Sequence, residues 1–211
     1  MTRWEALGRK LAQAMGIGSD RDRRSRRIVL VIECILNQNA RDNGAATFPV
    51  LNWEVLRLCD AYEVGVVQMP CPEIAFLGFA RSRPRGTSIR AALDTEEGRA
   101  CCRRISVTIV DRIQEYVRQG YQVLAILGGN PDSPGCAVHL GPQGLLSTSG
   151  VLMRELQAEL RERNLEVPFR GIRDSDPDMM AEDLRWLEET FSKKAGGRAT
   201  PTSTHHQHHQ A

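Results

Sequence analysis

Four apolar runs rich in isoleucine and valine punctuate this chain, and between them apolar positions recur at helical spacing. Ile28 to Leu36 has the continuous hydrophobicity of a strand buried on both faces. Val64 to Met69 is a second such run, stopped by Pro70. Tyr121 to Leu127 is a third, ending in Gly128-Gly129, and Val167 to Ile172 a fourth. Trp53 to Ala61 carries Val55, Leu56 and Leu58 and predicts a short helix. Thr95 to Gln119 repeats Ile105, Ile109, Ile113 and Val117 among charges, a long amphipathic helix closed by Gly120 in the C′ position. Val151 to Asn164 sets Leu152, Leu156 and Leu160 on one face, and Asp178 to Phe191 forms a last helix behind an Asp176-Pro177 cap. Alternating strands and helices predict an α/β fold, a single doubly wound, Rossmann-like parallel sheet with helices on both faces.

Outside that alternation the pattern changes character. Met1 to Gly18 places Trp4, Leu7, Leu11 and Met15 at helical spacing among Arg3, Arg9 and Lys10. That is an amphipathic helix rather than a signal peptide's unbroken apolar core. Asp20 to Arg27 is too charged to pack and reads as a linker. After Lys194 the chain turns to Gly, Thr, Pro and His, with His205, His206, His208 and His209 in a segment expected to be disordered. The expected organisation is therefore 1–27 as helix and linker, 28–194 as the α/β domain, and 195–211 as a His-rich tail.

Charge and composition exclude some partners. The 28 basic and 26 acidic residues nearly cancel, so no polyelectrolyte partner is implied. Aromatics make up only 5% of the chain, too few for a stacking platform for single-stranded nucleic acid. No apolar run approaches the roughly 18 residues of a membrane-spanning helix. The six cysteines lie in a chain too long, and without the leader, for a disulfide framework, so a cytoplasmic protein with free thiols is expected.

Three of those thiols stand at the ends of apolar runs: Cys34 in Val31-Ile-Glu-Cys-Ile-Leu-Asn37, Cys71 in Met69-Pro-Cys-Pro-Glu73, and Cys136 in Ser133-Pro-Gly-Cys-Ala137. One cysteine falls in each βα connection, and those connections meet at the carboxyl edge of an open sheet. The separations are too wide for a local zinc knuckle. Pro-Cys-Pro-Glu and Asp-Ser-Pro-Gly-Cys are turn sequences, where a packing thiol has little reason to be. Three soft thiolates suit an iron–sulfur cluster or a zinc ion, and three rather than four leave a metal position open. Cys59, Cys101 and Cys102 lie among helix residues and read as packing thiols.

The neighbours of those cysteines widen the choice. Ser133 can hydrogen-bond a ligand or serve only its turn. Arg41, Asp42 and Asn43 can read a heterocycle's edge or simply form the turn before Gly44. Gly128-Gly129-Asn130 would let the backbone approach a ligand, yet lacks the spaced glycines of a nucleotide fingerprint.

These motifs together resemble the thiouracil desulfidase (TudS) family, and more closely its TudS-related branch. The resemblance rests on Cys34-Ile-Leu-Asn with Arg41-Asp-Asn-Gly44, on Gly65-Val-Val-Gln-Met-Pro-Cys-Pro-Glu73, on the Gly120-Tyr-Gln-Val-Leu strand entry, and on Ser133-Pro-Gly-Cys136, spanning about Ile28 to Ile172. It implies a 4Fe–4S cluster held by Cys34, Cys71 and Cys136, with one open iron that takes the thiocarbonyl sulfur of a thiolated pyrimidine for hydrolytic removal. Two motifs depart from the family: Ser-Pro-Gly-Cys-Ala stands for Ser-Pro-Ser-Cys-Gly, and Arg-Asp-Asn-Gly for Arg-Tyr-Asp-Gly.

The expected function is thus non-redox removal of sulfur from a small thiolated heterocycle. A thiocarbonyl is a soft ligand, so a vacant iron prefers it to a carbonyl oxygen and draws electrons from its carbon. The attacking water then needs a base. Glu73 is the first candidate, its competing role being to cap the helix after Cys71; Asp42, Asp132 and Glu33 follow. The alternatives are a cluster- or zinc-binding protein that handles sulfur or metal without hydrolysis, and a binding domain whose cysteines are incidental.

Overall fold

The structure, a computed structural model, describes residues 22–193. The expected N-terminal helix and His-rich tail lie outside the described residues. The chain enters through exposed residues 22–26 and begins β1, Arg27–Ile32. It continues through α1 (Glu33–Leu36), α2 (Trp53–Ala61), β2 (Gly65–Met69), α3 (Pro72–Leu77), α4 (Ile89–Leu93), α5 (Glu96–Arg118) and β3 (Gln122–Gly128). A small hairpin of β4 (Leu140–Gly141) and β5 (Gly144–Leu145) precedes α6 (Val151–Glu162), β6 (Phe169–Gly171) and α7 (Pro177–Ser192).

Four strands form one parallel sheet in the order β2-β1-β3-β6. From β1 the chain crosses to β2 in one direction; from β2 to β3 and from β3 to β6 it crosses in the other. Right-handed crossovers then put α2 on one face and α5 and α6 on the opposite face. The packing agrees, since α5 lies against α6 and α2 against α7. Every residue from Ile28 to Ile32 is buried, as a central strand covered on both faces requires. The expected doubly wound α/β fold is the one observed.

Two local departures have physical causes. The first apolar run does not stay extended to Leu36: β1 ends at Ile32 and Glu33–Leu36 make one helical turn. Ile35 remains buried in that turn, so hydrophobicity alone could not separate the two conformations. In α5 the expected stripe is also displaced. Ile109 and Ile113 are buried, but Ile105 is only half-buried and Val117 is exposed. A strict four-residue repeat drifts by about 40° per step on a helix of 3.6 residues per turn, so its ends leave the core. The buried face also takes in Cys102, Ser106 and Val110.

The last strand and helix are tied by a buried carboxylate. Asp183 accepts hydrogen bonds from Arg170 Nε at 2.7 Å and from the Arg173 backbone N–H at 2.8 Å, and Arg170 also stacks over the Trp186 ring. The Asp176 side chain caps α7 by accepting from the N–H groups of Asp178 and Met179. Together these bonds fix the loop between β6 and α7, which borders the cysteines.

Candidate thiol site at the sheet edge

The strand order reverses direction between β1 and β3, so the crevice at their carboxyl ends is the natural ligand position of the fold. Cys34 lies one residue into α1, directly beyond β1. Cys71 is the N-cap residue of α3, two residues beyond β2, with Pro72 at the first helical position. Cys136 lies in the loop beyond β3. All six cysteines are free thiols, and Cys59, Cys101 and Cys102 are buried on helices.

Direct contacts join the three cysteine loops. The Cys71 backbone N–H donates to Glu33 Oε2 at 2.9 Å, tying the second loop to the first beside Cys34. Gly135 packs so closely on Pro72 that a Cβ there would stand 2.5 Å from Pro72 Cγ, which locks the third loop on the second. Within the third loop, Gly129 N–H donates to Cys136 O at 2.9 Å and Ser133 Oγ lies 3.0 Å from Cys136 Sγ. Ser133 Oγ also accepts the Cys136 backbone N–H.

Glycine is needed here because backbone and sulfur approach too closely for a side chain. A Cβ at Gly129 would meet Cys136 Sγ at 2.9 Å, and one at Gly150 would collide with the backbone of Gly135 and Cys136. The glycines after β3 therefore admit the Cys136 loop; the close approach they allow is to the protein's own sulfur. Gly150→Ala should consequently force this loop to shift, costing about 1–3 kcal/mol as an overpacking change. The check is a lower urea midpoint together with faster labelling of Cys136 by a thiol reagent.

Burial and mutual repulsion both act on these thiols. Cys136 is pushed well above its usual pKa, first by burial and then by the nearby charges of Cys34 and Cys71, against the opposing hydrogen bond from Ser133. Burial raises Cys71 to about 11, although the backbone amides of Ile74 and Glu73 work in the other direction. Burial also raises Cys34, and the neighbouring Arg41 guanidinium opposes it. Cys136 thus lies within reach of the charges of both other thiols. Cys34 alone of the three is half-buried, so approach from solvent is on its side.

Glu73 is buried, and burial raises its carboxyl pKa despite the Arg81 guanidinium, whose Nε is 3.4 Å from Oε2. The Gly135 backbone N–H works against that rise. Glu73 stands in the first turn of α3, where a carboxylate favours the helix's positive end as expected, and its side chain also meets Arg81. Glu33 is engaged by the Cys71 amide, while Asp42 and Asp132 are exposed.

Sequence reasoning missed two residues that organise this edge. Arg81, buried with a left-handed backbone (φ 46°), hydrogen-bonds Ala40 O and Phe79 O besides Glu73. Asp174, also buried, accepts from Arg41 Nη2 at 2.7 and 2.8 Å, from Asn130 Nδ2 at 2.9 Å, from Asn52 Nδ2 at 3.3 Å and from Gln38 Nε2 at 3.4 Å. Arg41, expected either to read a heterocycle or to form the turn before Gly44, spends its guanidinium on Asp174, Ala45 O and Thr47 Oγ1. In sequence Asp174 is one of several carboxylates in a capping loop, and Arg81 one of several arginines near Gly and Pro; nothing local distinguishes them.

Among the described residues no group of three or more His, Cys, Asp or Glu side chains is arranged to hold a metal ion, and no helix is long and apolar enough to cross a membrane. Surface depressions lined by Arg24, Arg112 and Tyr121, and by Gln157, Val167 and Phe169, lie away from the cysteines.

Fold and site together define a doubly wound α/β protein with a thiol-rich edge at its topological switch point. The chain is 29% identical over 142 residues to an uncharacterized protein of Methanocaldococcus jannaschii, MJ0003, an alignment covering 67% of this chain and 83% of that one. No family model matches the sequence. No solved structure matches it either.

Proposed function

We propose that the protein is an iron–sulfur-dependent desulfidase of the TudS-related kind, exchanging the thiocarbonyl sulfur of a small thiolated heterocycle for oxygen. The reaction is C=S plus water giving C=O plus hydrogen sulfide, with no net electron transfer. One observation carries the reading: Cys34, Cys71 and Cys136 come from three separate, mutually contacting loops to one edge, near enough for Cys34 and Cys71 to act on Cys136, with a buried carboxyl beside them.

The donor set fits a cluster. Three mutually repelling thiolates are stable together only with positive charge between them, and soft sulfur favours iron or zinc. A single zinc ion with bonds near 2.3 Å would draw its thiolates to roughly 3.8 Å from one another. The ligands of a 4Fe–4S cluster bond different irons and so stand further apart than those of one zinc ion; the resemblance of the cysteine motifs to the TudS family is what favours the cluster in this reading. Cys34, Cys71 and Cys136 would hold it, and when bound it would supply an open Lewis-acid iron with an affinity for sulfur.

The protein's own groups supply the rest. Glu73, its pKa raised by burial, takes a proton from water as that water attacks the thiocarbonyl carbon. Arg81 keeps the carboxyl oriented and stabilises its ionised form before the proton arrives. Ser133 fixes Cys136 through its hydroxyl and can donate to a sulfur developing negative charge. The buried positions of Cys71 and Cys136 keep bulk water off the sulfur-bearing side.

Anaerobic incubation with 2-thiouracil or a 4-thiouridine compound tests the reaction. Sulfide release in step with formation of the oxo product is expected. A protein that keeps its iron yet releases no sulfide from a range of thiolated heterocycles would belong instead with sulfur- or metal-handling proteins that do not hydrolyse.

A further inference from the structure

We propose that Arg41 and Asp174 form a positioning pair that fixes Cys34 as a ligand, an inference that rests on the cluster reading above. Asp174 belongs to the loop after β6, far along the chain from all three cysteines. Its side chain is wholly enclosed and that of Arg41 nearly so, at 0% and 7% exposure. Burying an ion pair costs desolvation of both groups and is weak evidence for stability by itself. Its placement points to another role.

Two separate links run from Asp174 to Cys34. Gln38 Nε2 donates both to Asp174 Oδ2 and, at 2.9 Å, to the Cys34 backbone carbonyl. Arg41, gripped by both Asp174 oxygens, also donates its backbone N–H to Gln38 O at 3.1 Å, so the pair holds from a second side the residue that bonds the Cys34 carbonyl. A third link, through Asn130 Nδ2 at 2.9 Å, reaches the segment that leads to Cys136. The carboxylate therefore holds the main chain of Cys34, fixes the Arg41 cation in the same loop and anchors the neighbouring cysteine loop. Arginine suits the place because its planar fork meets both carboxylate oxygens at once, which lysine cannot do. Partners of metal ligands commonly act this way, and losing one typically costs about 10–100-fold in metal affinity.

The test compares wild type, Arg41→Met, Arg41→Lys and Asp174→Asn after anaerobic reconstitution. Three quantities are read: iron and acid-labile sulfide per chain, the rate of iron loss to a chelator well below the melting temperature, and the midpoint potential of the bound cluster. Arg41→Met and Asp174→Asn are expected to lose iron about tenfold faster, with Arg41→Lys in between. Arg41→Met should also lower the potential, since a buried positive charge in a cluster-bearing loop favours the reduced state. Iron loss and potential equal to wild type in Arg41→Met would overturn the inference. So would a lower melting temperature alone, which is all that a structural pair would give. If Asp174→Asn does not fold, the Arg41 variants decide, Arg41→Lys first because it keeps a cation beside the buried Asp174. A wild-type protein that takes up no iron would instead remove the cluster reading, a separate failure visible before any variant is compared.

Discussion

On the proposed function, serine in place of Cys34, Cys71 or Cys136 is expected to abolish cluster binding, whereas serine at Cys59, Cys101 or Cys102 is expected to leave iron content at the wild-type level. A hydroxyl is a hard, weakly acidic donor and a poor replacement for thiolate on iron. The two sets of cysteines differ in place. The first three stand at the carboxyl edge of the sheet, on loops that touch one another. The second three are buried on the helices α2 and α5 rather than on those loops. Serine at these buried positions should cost stability, so iron is to be counted per folded chain. Full iron content in Cys71→Ser would remove the triad from the account.

Glu73→Gln should retain the cluster and slow sulfide release by about a hundredfold or more, the scale of a lost general base. The amide keeps the shape of the carboxyl and can still accept hydrogen bonds, but it cannot take a proton from water. Arg81 would lose its charged partner while keeping its bonds to Ala40 O and Phe79 O, so the loop should hold. A near-normal rate would move the search for the base to Asp42, Asp132 or Glu33. Among these, Glu33 is the one already in contact with a cysteine loop, through the Cys71 amide.

The fold was legible because its central strands β1 and β3 are buried on both faces; the edge strand β2, expected to be buried as well, buries Val67 and Met69 but leaves Gly65 and Gln68 exposed. Continuous Ile and Val runs marked β1, β2 and β3, and the helices between them carried clear apolar faces. The Asp176-Pro177 start of α7 was readable because capping is a local interaction. The short α4 and the β4–β5 hairpin escaped, being too brief to show a period.

At the site, the three cysteines stood out because each occurs in a turn motif at a strand end. Asp174 and Arg81 did not, since their importance lies in long-range partners. Asp174 meets residues of the Cys34 and Cys136 loops from the far end of the domain, and Arg81 reaches back to Ala40. No spacing rule contains such pairings. The role of Gly128 and Gly129 was half legible: close approach was foreseen, but that the approaching group is the Cys136 loop is a fact of tertiary structure.

Iron and acid-labile sulfide per chain, measured on anaerobically purified or reconstituted protein, test the central claim most directly. The account predicts about four of each per chain, the content of one 4Fe–4S cluster, with a brown colour. A colourless protein with one zinc and no labile sulfide, or one that takes up no metal at all, would contradict it.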